Sequence, residues 1–210
     1  MFDDRSDAGK RLATLLSDYR GKNVIVLAIP RGGVEVGIEV ARYLNAELSL
    51  LVTRKLPFPY NPEAGFGAVA EDGSTFIFPG AERSVPPKQR EQIVRKQREE
   101  IARRVEVLRG RDPLPDLTDR TVILVDDGLA MGSTMRASIE LCRKAGAGKV
   151  VVAVPVSGAR TARAIDELAD ELYVAEVPPY FRAVAQVYGN WYDVSDGEVL
   201  ELLKQWRDGS

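Results

Sequence analysis

Two adjacent carboxylates, Asp126-Asp127, follow the apolar run Val122-Ile123-Leu124-Val125 and lead into Gly128-Leu129-Ala130-Met131-Gly132-Ser133-Thr134. In an open parallel sheet, ligands sit beyond the carboxyl ends of the strands, so two acids emerging there face a ligand and need a polar or cationic partner. Gly128 and Gly132 let the backbone turn tightly and come close to that ligand. Ser133 and Thr134 can cap the following helix and offer hydroxyl and N–H groups to a phosphate. Carboxylates accept hydrogen bonds from sugar hydroxyls while a helix start holds an anion, and a ribose 5-phosphate carries both features. A Walker-type acid pair does not fit: no G-x-x-x-x-G-K-[ST] loop occurs, and Gly146-Ala147-Gly148-Lys149 lacks the spacing and the hydroxyl.

The elements that must position these residues alternate along the chain. Residues Asp7 to Tyr19 have the apolar spacing of an amphipathic helix through Ala8, Leu12, Leu15 and Leu16, stopped by Gly21. Val24 to Ile29 is a continuous apolar run, as expected of a parallel strand covered on both faces, and it ends at Pro30-Arg31-Gly32-Gly33. A helix over Val34 to Leu44 and a strand over Leu48 to Val52 complete a crossover unit. Further on come a strand at Thr121 to Val125, a helix at Thr134 to Ala145, a strand at Val150 to Val154, a helix at Ala159 to Leu168 and a strand at Glu171 to Ala175. This alternation predicts a doubly wound, mainly parallel α/β sheet.

Two segments break the alternation. Residues 56–112 form an excursion: a hairpin pairs Gly67 to Ala70 with Thr75 to Phe78 across Asp72-Gly73, and a long helix runs from Lys88 to Leu108. That helix carries a narrow stripe of Ile93, Ile101, Val105 and Leu108. From Pro86 to Arg111 there are nine Lys or Arg against four Glu, a local excess of +5. The stripe suits packing along one edge of the domain or a homodimer contact; the charge suits a solvated face or a nucleic-acid surface. The second segment, residues 177–210, is a small aromatic hood followed by a helix with Asp196 as its N-cap, carrying Val199, Leu202 and Trp206.

With 210 residues, 45% hydrophobic and 29% charged, the chain fits one domain over residues 1–210 with a real core. A net charge of −2 gives no global attraction to nucleic acid or anionic membranes, and no apolar stretch reaches spanning length. Cys142 is the only cysteine, and histidine is absent. Disulfides, Cys-rich metal sites, His triads and imidazole acid–base chemistry are therefore excluded, and a reducing, cytoplasmic setting is expected. Chemistry must run on carboxylates, Lys, Arg, hydroxyls, backbone dipoles or an oxygen-held metal.

The stretch Val122 to Thr134 resembles the phosphoribosyl pyrophosphate (PRPP) motif of type I phosphoribosyltransferases. Asp4-Arg5 with Ala8-Gly9, Pro30-Arg31-Gly32-Gly33-Val34, and Asn61-Pro62-Glu63 followed by Gly67-Ala68-Val69 are similar to a group of these proteins whose acceptor is unassigned. The resemblance implies that Asp126 and Asp127 hydrogen-bond the ribose 2- and 3-hydroxyls and that Ala130 to Thr134 cradle the 5-phosphate. It places Arg31, Gly32 and Gly33 under the leaving pyrophosphate, with Arg54 and Lys55 at the next strand end neutralising it together with Mg²⁺. The metal would be held mainly by PRPP and water, with Asp126 and Asp127 as protein candidates. Tyr188, Trp191 and Tyr192, among the aromatics of the hood, could stack a planar acceptor, and Glu63 is a candidate acid–base group. Ala130 stands where hypoxanthine-type members carry an acid, which disfavours that acceptor, and Met131 replaces a common threonine. The implied activity is displacement of pyrophosphate by a nitrogen nucleophile, such as a nucleobase, in a homodimer. The competing reading is a PRPP or nucleotide sensor of the same fold that binds RNA or DNA through the basic helix.

Overall fold

The computed structural model describes residues 1–110 and 112–209, and of these every side chain but those of Glu63 and Glu82. Helix α1 (Arg5–Leu15) is capped by Asp4, whose carboxylate accepts from the Asp7 amide, and it packs against α2 (Gly33–Leu44). The strands β1 (Val24–Ala28), β2 (Glu47–Leu50), β6 (Thr121–Val125), β7 (Lys149–Val156) and β8 (Glu171–Glu176) form one parallel sheet in the order β2-β1-β6-β7-β8. In the register, Ala28 pairs with Val125 and Val125 with Ala153, so the ends of β1 and β6 lie level.

Both faces of this sheet are covered, which is why its central strands are uniformly apolar. Val24, Val26, Ile123 and Val125 pack with Leu12, Leu16, Val36, Val40 and Leu44 of α1 and α2. Ile25, Leu27, Val122 and Leu124 pack on the other side with Met135, Ile139 and Cys142 of α4 (Ser133–Lys144). Each large side chain taken out of water here contributes roughly 1.5–3 kcal/mol to holding β6 in place. The helix α5 (Ala159–Asp166) sits against β8.

The excursion starts earlier than the proline and glycine pattern suggests. Residues Thr53–Phe58 form β3, paired antiparallel with β4 (Asn61–Ala70), which pairs in turn with β5 (Thr75–Ile77). The sequence pattern predicts no strand at Leu56-Pro57, yet both residues lie in β3, an edge strand, where a residue without an N–H is tolerated. Helix α3 (Pro87–Arg109) lies on this small sheet, and Ile101 is buried with Val52, Leu56, Phe66 and Val69, while Ile93 and Val105 pack against the same cluster. The stripe considered as a dimer contact is thus spent within the chain.

The excursion is also tied to the main sheet. Arg109 donates to the Leu50 carbonyl at 2.8 Å and pairs with Glu71 at 2.6 Å, and Glu71 accepts from the Val52 amide. The last helix, α6 (Asp196–Asp208), is capped by Ser195 rather than by Asp196: Ser195 and Glu198 form a reciprocal capping box, which leaves Asp196 in the first turn, free to pair elsewhere. Among the described residues, no helix is long and apolar enough to cross a membrane.

Candidate functional site

Strand β6 delivers Asp126 and Asp127 beneath the loop that leaves β1. A Cβ at position 32 would stand 1.9 Å from Asp127 Oδ2, and one at position 33 would stand 2.9 Å from the Asp126 Cα. Glycine is required at both because backbone and carboxylates touch. The Pro30–Arg31 peptide in this loop is cis.

The two acids are served unequally. Asp126 Oδ1 accepts from the Asp127 amide at 2.8 Å. Asp127 Oδ2 accepts from Arg5 Nε at 2.9 Å, and its backbone carbonyl accepts from the Tyr188 hydroxyl at 2.7 Å. Burial, reinforced by the neighbouring Asp127 charge, pushes the Asp126 carboxyl well above the ordinary carboxylate range. Burial also raises Asp127, against the opposing pull of Arg5. Among the described residues, one cation therefore stands against two desolvated acids, an arrangement that leaves the pair short of hydrogen-bond donors and positive charge.

Arg5 anchors the surrounding shell. Its side chain is 3% exposed, its guanidinium lies 4.0 Å from the Trp191 ring centroid and 5.3 Å from that of Tyr192, and it donates to the Tyr192 carbonyl. The Tyr192 hydroxyl donates to Glu35, whose carboxylate is raised by burial. These contacts redirect the aromatic residues expected to stack an acceptor. Tyr188 is buried, whereas Trp191 and Tyr192, each 38% exposed, set one ring face against Arg5.

The following loop is built from backbone. Leu129 is buried and donates to the Val156 carbonyl, and the Thr161 hydroxyl donates to the Ala130 carbonyl at 2.9 Å. Gly132 takes a left-handed conformation, φ 74°, and occupies the N-cap of α4. Neither Ser133 nor Thr134 caps this helix with its side chain, contrary to expectation, because the helix already begins at Ser133. The first-turn N–H groups accordingly point, without a side-chain cap, toward a cavity of about 180 Å³ lined by Lys55, Gly65 and residues 128–134.

The cations expected to act together separate. Arg54 and Lys55 are neighbours on a strand and so face opposite ways. Lys55 lines the loop cavity, whereas Arg54 donates to Gln97 on α3 at 3.1 Å. Burial, followed by the adjacent Arg104, pulls the Arg54 guanidinium below its ordinary value. Arg31 is 36% exposed and lies 3.9 Å from Asp196. The Glu63 side chain lies outside the described residues. Arg5 and Glu35 received no role from the sequence. A signal was present, however: Arg5, Ala8, Gly9 and Leu12 share the buried face of α1, and a charge on such a face needs a partner.

Comparison with known proteins agrees with this geometry. Residues 4–187 match the family model described as a phosphoribosyl transferase domain. A provisionally named phosphoribosyl transferase of Mycobacterium tuberculosis is 43% identical over 206 residues, covering 97% of this chain and 46% of the relative. The chain thus spans about half the length of the curated relatives it first matches. A Thermus thermophilus protein of known crystal structure superposes with a TM-score of 0.81 at 37% identity, covering 98% of this chain and 99% of that one. A Staphylococcus aureus hypoxanthine phosphoribosyltransferase shares the fold alone, with a TM-score of 0.51 at 14% identity over 84% of this chain and 74% of that one. With the parallel sheet, the paired acids and the glycine loop in place, the chain belongs to the phosphoribosyltransferase family and has the type I fold.

Proposed function

We propose that the protein transfers the phosphoribosyl group of Mg²⁺-PRPP to a nitrogen nucleophile. The observation that carries this reading is the under-served Asp126-Asp127 pair beside the backbone-lined cavity that also receives Lys55. The ribose 2- and 3-hydroxyls would supply the donors the two acids lack. The amides of Ala130 to Thr134, with the Lys55 ammonium, would hold the 5-phosphate. Arg31 and the amides of Gly32 and Gly33 would face the pyrophosphate, with Arg54 contributing positive potential from behind. Relative to the sequence expectation, Lys55 moves from the leaving group to the phosphate loop.

The residues suit a magnesium ion carried in by its substrate. All nearby candidate donors are oxygens, and among the described residues no group of three His, Cys, Asp or Glu is placed to hold a metal. When bound, the ion supplies charge neutralisation at the leaving phosphates. In the transfer, the acceptor nitrogen's lone pair bonds to C1 as the C1–O bond breaks, and both electrons of that bond depart on pyrophosphate. The proton on nitrogen passes to a base or to water. Positive charge builds on the ribose ring in the transition state, and the carboxylates beneath it, held in the charged form by hydrogen bonds from the ribose hydroxyls, stabilise that charge while the fixed loops align donor and acceptor.

The nucleic-acid reading of the basic helix receives less support. Arg103, Arg104 and Arg109 of α3 are engaged by Glu100, Asp196 and Glu71. Calorimetric titration of Mg²⁺-PRPP into the native chain and into the Asp126→Asn, Asp127→Asn double variant tests the proposal. Saturable binding that the variant loses is expected; a folded native protein that binds no PRPP would refute the assignment.

A further inference from the structure

Beside the phosphate loop lies a second concavity, of about 440 Å³, which shares Ala130 and Met131 with the loop cavity. The turns after β7 and β8 form its other walls. Phe181 packs on the backbone of Gly158, so closely that a Cβ there would lie 2.9 Å from the ring. With Pro178 and Pro179 this makes a flat apolar surface. Two guanidinium groups, Arg160 from α5 and Arg182 from the hood, line the same space.

The charge here is one-sided. Among the described residues, no carboxylate lines the concavity and neither guanidinium has a hydrogen-bonding or ion-pairing partner. The nearest acid along the β8 exit, Glu176, is occupied by the Met1 amine at 2.9 Å. The N-terminus of α5 opens on the same space, with Gly158 as N-cap and no side-chain cap. By contrast, Arg5 is neutralised by Asp127, Arg104 by Glu100 and Arg109 by Glu71. Two unneutralised guanidinium forks beside a flat apolar wall suit a planar molecule bearing an oxyanion, which guanidinium groups can grip with two parallel bonds.

We infer that this concavity receives the acceptor and that the acceptor is a planar nitrogen compound carrying a carboxylate. The inference rests on the PRPP reading above, because a shared wall at Ala130 and Met131 matters only if the donor occupies the adjacent loop. It also assigns acceptor recognition to Arg160, Arg182 and Phe181 in place of Tyr188, Trp191 and Tyr192.

The test is calorimetric titration of matched pairs, nicotinate against nicotinamide and orotate against uracil, into protein saturated with Mg²⁺-PRPP, with pyrophosphate release followed in parallel. Each carboxylate is expected to bind at least about ten-fold tighter than its neutral partner. That advantage should vanish in an Arg160→Gln, Arg182→Gln variant whose preserved thermal midpoint shows an intact fold. Carboxylates that bind no better than their partners, or do not bind at all, to a protein that does bind PRPP would overturn this inference and leave the donor assignment standing. A protein that binds no PRPP would remove both.

Discussion

The two ends of the main sheet handle their carboxylates in opposite ways. At the amino end, Glu171 opens β8 and is saturated with partners: Lys149 forms a short ion pair with it, Tyr19 donates at 2.6 Å and Tyr173 at 2.9 Å. The Lys149 bond, followed by the Tyr19 bond, pulls this carboxyl down to about 2, and Tyr173 in turn rises to about 12, chiefly through burial. At the carboxyl end, Asp126 and Asp127 share one arginine and are displaced upward. The same chemical group is a finished structural contact at one end and a sparsely partnered acceptor at the other. Stability is best served by the first arrangement, so the second is retained for something that binds.

The comparison can be broken most forcefully at the carboxyl end. Replacing Asp126 and Asp127 with Asn should abolish PRPP binding by calorimetry, a loss of 100-fold or more, since each charge-assisted hydrogen bond is worth about 1.5–3 kcal/mol. An Asp126→Asn single variant, which keeps the Arg5–Asp127 pair, should melt no lower than the native chain at pH 7. For a carboxyl raised in the fold, the folded state holds more protons than the unfolded state between the ordinary value of 3.8 and the raised one, so native stability falls as pH climbs through that window. Asparagine removes this penalty. A large fall in melting temperature would mean that Asp126 is structural after all.

Removing the arginine should have the converse effect. Arg5→Met leaves Asp127 buried without its cation and should cost about 3–5 kcal/mol at neutral pH in urea melts. The cost should shrink on acidification, as Asp127 takes up a proton. A pH-independent loss would point to packing against Trp191 alone. Gly32→Ala is a milder perturbation: its methyl group would contact Asp127 Oδ2 and displace the loop, at about 1–3 kcal/mol, read as weaker PRPP affinity rather than as unfolding.

The smallest effect is expected at the amino end. Glu171→Gln should cost about 1 kcal/mol or less, because the cluster is partly open to solvent and screened by it. Here the sign reverses. The Glu171 contribution is fully present above the ordinary value of 4.5 and disappears as pH falls through about 2, so native and variant melting curves should converge in acid. PRPP affinity should not change. A measurable loss of affinity would erase the distinction between the two ends.

Much of this was legible in the chain itself. The run Val122 to Val125 specifies a buried parallel strand because four consecutive apolar residues can only be covered on both faces, and Asp126-Asp127 and the two glycines after it mark a ligand loop through their own side-chain chemistry and conformational freedom. The alternating pattern likewise specified the doubly wound sheet. Local pattern was less informative where the chain leaves that sheet. No strand is expected from the sequence at Leu56-Pro57, and the edge position of β3 is what lets a proline join it. At the last helix, Ser195 and Asp196 are both good caps, and the reciprocal bond with Glu198 decides between them.

What tertiary structure alone decided is which charge meets which. Arg5 and Asp127 are 122 residues apart in sequence, and nothing local to either residue names the other. Arg54 and Lys55 look like one cationic pair until strand pairing turns them to opposite sides. The aromatic residues of the hood look like a stacking platform until Arg5 claims them, and Arg160 and Arg182 look like ordinary surface residues until two loop ends bring them around one space. Periodicity and turn chemistry are properties of neighbouring residues, so sequence carries them. Neutralisation of a buried charge depends on distance through space, which is fixed only once the sheet order β2-β1-β6-β7-β8 has been assembled.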